Sequence, residues 1–319
     1  MSLIARIALT GPPAEDPEDF FCASLSVIFP DDVTNQHGDS EHGLLYTSPH
    51  LPEPLNISLA EPSGDTEREL FSHYLWNSSL MLAETIEAGT LGLDLSSGSS
   101  SSLPSQSQSK LSQENGASPI ASPASDFNIT GLSTIELGAG TALPSIMSAL
   151  LGAHRVVVTD YPAPVVIETL RRNVAVNVQP SLAPSGALAE GQVVEVEGHG
   201  WGELDSPVAQ ANKHAFDRVM AADCLWMPWQ HANLLRSVDW FLGQGPTARA
   251  WVIAGFHTGR DKLSRFFVKE TLAEKGLEVE RIWERDCDGK DREWSWDRGI
   301  EDVSERKRWL VIAVLRRVL

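Results

Sequence analysis

The run Glu136-Leu137-Gly138-Ala139-Gly140-Thr141-Ala142-Leu143-Pro144 joins a β-branched apolar segment to one with helical spacing. Glycines let a chain turn sharply and let a ligand approach the main chain, and the free N–H groups of the helix that follows favour a polar ligand. Twenty residues after Gly140, Asp160 ends the next apolar run, placed to accept hydrogen bonds from the two hydroxyls of a ribose. Strand, glycine turn, helix and acid in this order predict an adenosine-bearing cofactor. NAD would use the same parts, but three features count against it. Leu143 stands where the dinucleotide fingerprint has its third glycine, Glu136 puts a carboxylate two residues before the first, and no Tyr-x-x-x-Lys pair involves Tyr46, Tyr74 or Tyr161. A carboxylate at that place suits a cofactor with an amino group and a sulfonium, which is S-adenosylmethionine.

Other chemistries find no support. There is no G-x-S-x-G elbow, no G-x-x-x-x-G-K-S/T phosphate loop and no H-E-x-x-H helix. His37 and His42 are loosely spaced in a proline-flanked loop and read as solvated rather than as ligands. The charged run from Arg285 to Arg308 carries Trp294 and Trp296, as a nucleic-acid stacking surface would, but its acids outnumber its bases, and it reads as a lid or a partner-contact loop.

Such residues need a frame. Short β-branched runs alternate with helical segments: Leu132 to Leu137, a helix from Pro144 to Leu151, Val156 to Thr159, a helix from Pro164 to Val176, then Gln192 to Val196. Phe216 to Ala222, an amphipathic helix from His231 to Leu242, and Ala250 to Phe256 continue the rhythm, which is that of a doubly wound α/β sheet. Leu277 to Trp283 and Trp309 to Leu315 read as strands with no crossover helix between them, so they must pair antiparallel.

Upstream, Leu70, Phe71, Tyr74, Leu75, Leu80, Leu82 and Ile86 recur at helical spacing with Gly89 as a stop, and alternation near Leu44 to Thr47 and Leu55 to Leu59 predicts a short hairpin. Residues 1–69 are expected to be an acidic N-terminal extension and residues 70–319 the enzyme-like domain. Ser96 to Ser125 interrupts that domain. Thirteen of its thirty residues are serine and only Lys110 and Glu114 are charged, so it cannot bury enough apolar surface to offset its ordering entropy and is expected to be a disordered insertion.

The net charge of the 319 residues is −18, but residues 1 to 70 hold thirteen acids against Arg6 and Arg68, a local −11. Clustered acid argues against a binder of nucleic acid, whose affinity rests on Lys and Arg, and favours a basic protein partner. Cys22, Cys224 and Cys287 offer neither a disulfide framework nor a metal motif, so no metal and a reducing, cytoplasmic setting are expected. No stretch of eighteen apolar residues exists to span a membrane, and no signal segment is expected.

Five strings in this order carry a resemblance: Leu75-Trp76-Asn77, Glu136 to Pro144, Val156-Val-Val-Thr-Asp-Tyr-Pro162, Gly200-Trp201-Gly202 and Asp223-Cys-Leu-Trp226. Together they are similar to the seven-strand, family 16 protein methyltransferases, and most to the fungal branch labelled nicotinamide N-methyltransferase-like, which includes an elongation factor N-terminal and lysine methyltransferase. The likeness covers about Leu70 to Leu319, apart from the serine-rich stretch. It implies strand order 3-2-1-4-5-7-6, with Trp76 along the cofactor, Gly138, Ala139 and Gly140 at its methionine part, Asp160 at the ribose, and neighbouring Tyr161 also among the cofactor-binding residues. Trp201 would flank the adenine, and Ala222 and Asp223 would border the methyl group. The family pattern Asp-x-x-Tyr or Asp-x-x-Phe ends here in Trp226, whose face can wall an ammonium through cation–π attraction; Trp229 could thicken that wall. The resemblance implies an S-adenosylmethionine-dependent N-methyltransferase, expected to be a monomer, acting on a lysine or N-terminal amine of a basic protein, with translation elongation factor 1-alpha the implied substrate. A small-molecule N-methyltransferase of nicotinamide type is the alternative, and a non-catalytic binding module a third.

Overall fold

Val156 and Val158 face one side of their strand and Val157 the other, and all three are fully buried. A strand covered on both faces reads as a continuous apolar run, and that is why the central strands of this chain were easy to locate. The structure is a computed structural model that describes residues 2–11, 34–38, 42–60, 74–93, 95, 124–184, 188 and 191–318.

In chain order, β1 (Ile7–Thr10), β2 (Gln36–His37), β3 (Gly43–Tyr46), β4 (Leu55–Ile57) and β5 (Leu75–Trp76) lead into α1 (Asn77–Leu91). The alternating block follows: β6 (Ser133–Leu137), α2 (Leu143–Leu150), β7 (Arg155–Asp160), α3 (Pro164–Asn177), β8 (Val193–Gly198), α4 (Pro207–Ala211), β9 (Arg218–Ala222), α5 (His231–Phe241) and β10 (Arg249–Gly255). The chain continues through α6 (Arg260–Ser264), α7 (Lys269–Ala273), β11 (Leu277–Asp286), β12 (Asp291–Glu293), α8 (Val303–Lys307) and β13 (Trp309–Arg317).

The main sheet has eight strands in the order β12-β11-β13-β10-β9-β6-β7-β8. Strands β8, β7, β6, β9 and β10 pair parallel, while β13, β11 and β12 pair antiparallel. The edge strand β12 is one more than the seven-strand expectation. Without it, the seven others, counted from β6 and read from the β8 edge, run 3-2-1-4-5-7-6. The order of the parallel strands reverses at β6, between β7 and β9, and the crevice at their carboxyl ends is where such sheets bind ligands.

Three local expectations are corrected. Leu75 and Trp76 do not begin a helix; they form β5, which pairs with β2. The helix starts at Asn77, buries Gly89 within it, and stops at Gly92, whose positive φ of 67° ends the turn while its N–H reaches the Ala88 carbonyl. His37 is not solvated: it is buried, and its Nε2 lies 2.7 Å from Asn77 Oδ1. Leu70 and Phe71, and nearly all of the serine-rich stretch, lie outside the described residues.

The described part of residues 1–69 is no appendage. Strands β1, β3 and β4 form a three-stranded antiparallel sheet, and Leu3, Leu44, Tyr46, Leu51, Leu55 and Ile57 belong to the same buried cluster as Ile146, Val158 and Trp251. Arg6 crosses to α1, its guanidinium 2.8 Å from Glu84 and 3.5 Å from Glu87, and the Ser48 hydroxyl donates to Glu87 at 2.5 Å. On the other side, Asn173 and Asn177 of α3 act like a neighbouring strand. Each accepts a main-chain N–H through Oδ1 (Ser58 at 2.8 Å, Asn56 at 2.9 Å) and donates back through Nδ2 to the carbonyl of the same residue. Asn173 Nδ2 also reaches the Thr141 carbonyl, 3.1 Å away in the glycine turn. Of the thirteen acids of residues 1–70, only Glu53 is among the described residues. No helix among the described residues is long and apolar enough to cross a membrane.

Candidate active site

Strand ends supply the site. β6 ends at Leu137, and Gly138 (φ 71°) and Gly140 (φ 56°) turn the chain towards α2. A Cβ on Gly138 would stand 2.9 Å from Trp201 Cζ2 and 3.0 Å from Cys224 Sγ, so the residue must be glycine for the ring to lie against the turn. At the end of β7, Asp160 accepts the Gly140 N–H at 2.7 Å and the Tyr161 N–H at 2.6 Å, one on each carboxylate oxygen. Burial pushes its carboxyl up, and these two hydrogen bonds oppose the shift without cancelling it. Each oxygen keeps a further lone pair for a ligand hydroxyl.

After β9 the chain places Asp223 in the left-handed region, φ 58°, a conformation Asp tolerates better than most residues. Its Oδ1 accepts the Gly255 N–H at 3.0 Å, and His257 Nε2 lies 3.1 Å and 2.9 Å from its two oxygens. Burial raises the Asp223 carboxyl, but the charge and hydrogen bond of His257, with smaller help from the Gly255 N–H and Ser78, hold the group below the usual carboxylate range. The reciprocal interaction raises His257 against its own burial. The His257 ring meets Trp76 edge-on, with centroids 5.0 Å apart.

These ends open into one cavity of about 450 Å³. Trp76, Gly138, Ala139, Gly140, Asp160, Tyr161, Trp201, Ala222, Asp223 and Trp226 all line it, so ten of the eleven residues singled out in the sequence converge. Glu136 is the exception: it does not line the cavity. It is fully buried outside the lining, its Oε2 taken by the Ser145 N–H at 3.1 Å and hydroxyl at 2.5 Å, and burial pushes its carboxyl up to about 8. The pleat places it there: Ile135 and Leu137 face the opposite side from Glu136, which therefore looks at the α2 side of the sheet. Nor does any residue of the Arg285 to Arg308 run line the cavity. Trp294 instead stacks on Phe256, and Arg260 joins Glu284 to Glu301, so that run is a buttress at the far edge of the sheet.

Two further cavity residues escaped the sequence reading. His199 Nε2 lies 2.9 Å from Ser237 Oγ, burial pushes its imidazole down to about 4, and its Nδ1 has no partner among the described residues. Arg236 is the one Lys or Arg among the described residues of the wall. Both come from segments whose spacing carries no motif.

Residues 65–272 match the family described as lysine methyltransferase. The chain belongs to that family. As a lysine methyltransferase family member it is a methyltransferase, and its methyl donor is S-adenosylmethionine. Among curated relatives, the protein N-terminal and lysine N-methyltransferase EFM7 of Gibberella zeae is 32% identical over 68% of this chain and 70% of its own length. The protein of the same description from Schizosaccharomyces pombe is 24% identical over 77% of this chain and 83% of its own. That from Eremothecium gossypii is 34% identical over 48% of this chain and 57% of its own. Among solved structures, the ribosomal protein L11 methylase of Lactobacillus delbrueckii subsp. bulgaricus aligns at a TM-score of 0.36 with 15% identity, covering 59% of this chain and 71% of that one.

The cavity fits the donor that the lysine methyltransferase family uses. Asp160 has lone pairs to spare for the ribose, the buried Nδ1 of His199 lacks a partner beside the Trp201 loop, and Gly138 leaves the main chain open to close approach. Gly138→Ala is expected to weaken binding of S-adenosylhomocysteine about tenfold or more, because the new methyl group forces Trp201 away and Ala at positive φ costs about 1–2 kcal/mol. Calorimetry on the folded variant measures it, and unchanged affinity would take Trp201 out of the cofactor site.

Proposed function

We propose that this methyltransferase acts on a protein amine, a lysine ε-amine or an N-terminal α-amine. The observation that carries the reading is that Asp223 and Trp226 share a single cavity with the glycine turn and Asp160, so an amine held at the first pair meets the methyl end of a donor held at the second. The printed names of the fungal relatives, which describe methylation of protein N termini and lysines, support it.

The donor supplies an electrophilic methyl group on a sulfonium, and the chain's residues do the rest. Asp160 and the Gly138 to Gly140 turn hold and orient the adenosine and methionine parts. Asp223 accepts an N–H of the incoming amine and so aims its lone pair, while Trp76 and Trp226 exclude water and offer an aromatic face to the charge that develops on nitrogen. Rate then comes from alignment and electrostatics rather than from a general base. The substrate class we assign is a basic polypeptide, with the lysine-rich start of translation elongation factor 1-alpha the first candidate; the enzyme works as a monomer in the cytoplasm.

The test is label transfer. Incubated with labelled S-adenosylmethionine and a cytosolic lysate, or separately with nicotinamide, the protein is expected to label a protein band and leave nicotinamide unlabelled. Label confined to small molecules would sink the protein-amine reading in favour of the nicotinamide type.

A further inference from the structure

Asp223 lines the cavity, yet much of its hydrogen-bonding capacity is used behind the wall, on the Gly255 N–H and on His257, which does not itself line the cavity. Such an arrangement poses a problem of charge. A bare carboxylate beside an amine stabilises the ammonium, raising its pKa by about 1–3 units, and an ammonium has no lone pair with which to attack. A free lysine is already only about one part in a thousand neutral near pH 7.4, so an unneutralised acid at this place would hold the substrate in its dead form.

We propose that His257 is a positioning residue for methyl transfer: its imidazolium, clamped on both oxygens of Asp223, cancels that charge so the carboxylate orients the amine without trapping it as an ammonium. The inference rests on the protein-amine reading above. The surroundings leave His257 in sole charge of this balance. Trp76 covers it from β5, and Gly255 contributes only main chain from β10. Arg260, three residues on, is committed to Glu284 and Glu301. Towards the cavity stand Cys224, whose thiol burial pushes well up and keeps uncharged, and Asp160, with Tyr161, His199, Glu203 and Arg236 also on the wall and none of them paired with Asp223. No second cation among the described residues pairs with Asp223.

His257→Gln keeps a donor for Asp223 and removes the charge. The rate of label transfer into the protein band, followed from about pH 6 to 10, is expected to be displaced below the wild-type curve where the wild-type imidazole carries its charge, with about tenfold loss near pH 7.5, and to meet that curve above about pH 9, where the imidazole has lost its proton and no longer cancels the carboxylate. Binding of S-adenosylhomocysteine is expected to stay at the wild-type value, which also shows that the variant is folded. A uniform loss across the pH range, with no meeting of the curves, would mean His257 is merely structural and would overturn the proposal. Histidine NMR on the full chain decides independently of any substrate: His257 is expected to stay protonated at pH 7.4 and to titrate more than about one unit lower in Asp223→Asn. A neutral His257 in the wild type would also overturn it. Failure of the wild type to label any protein would instead sink the protein-amine reading.

Discussion

Asp223→Asn is expected to lower methyl transfer by about 10²–10³-fold while leaving the affinity for S-adenosylhomocysteine unchanged. The substitution is chosen over alanine for three reasons. Asparagine tolerates the left-handed conformation that residue 223 adopts, its carbonyl oxygen can still accept the Gly255 N–H, and it does not open a hole under His257. What it removes is the charge-assisted hydrogen bond to His257 and an acceptor aimed into the cavity, because the amide must turn one N–H₂ face towards either the imidazole or the substrate. Turnover is read by label transfer and binding by calorimetry, on the same preparation. The contrast between the two is the informative result, since Asp160 and the glycine turn, the proposed cofactor contacts, are on other strands. Undiminished transfer by Asp223→Asn would remove Asp223 from the mechanism.

What could be read in the sequence follows from which interactions are local. The glycine turn and Asp160 were legible because each closes a buried strand, and buried strands announce themselves by composition. Trp201 and Trp226 were legible only through a resemblance; nothing in their spacing distinguishes them from the other tryptophans. His257 was not legible, because its role is set by Asp223, thirty-four positions away, at the end of the neighbouring strand β9, and only the register of β9 with β10 brings the two together. Glu136 shows the reverse case, a motif residue that the fold sets apart from the cavity lining. It sits at the expected place in the motif, but strand pleating decides the face on which a side chain lies, and Ser145, not the cavity, is on that face. His37 failed for a similar reason: its partner Asn77 belongs to a helix forty residues on.

Deleting residues 1–60 is expected to abolish the cooperative thermal unfolding of the protein, with cofactor binding lost together with the fold. The charge distribution alone suggests a detachable arm that steers a basic polypeptide, whose removal would spare the cofactor site. The packing argues otherwise. The deletion strips Leu3, Leu44, Tyr46, Leu51, Leu55 and Ile57 from the shared core, and core truncations to alanine of this kind cost about 2–5 kcal/mol each. Net stabilities of domains are about 5–15 kcal/mol, so the loss of all six side chains, about 12–30 kcal/mol together, is as large as or larger than what is available. It also leaves Glu87 buried without Arg6 and Ser48, and takes Ser58 and Asn56 from the Oδ1 atoms of Asn173 and Asn177. A milder change separates folding from steering. Replacing Glu15, Asp16, Glu18, Asp19, Asp31 and Asp32 by their amides removes six of the acids and touches none of those contacts. If the segment steers its substrate, that variant should melt like the wild type yet label protein more slowly at low salt, the two converging as salt screens the remaining field. A truncated protein that still unfolds cooperatively and binds S-adenosylhomocysteine would show that α1 and α3 can close the core without the small sheet.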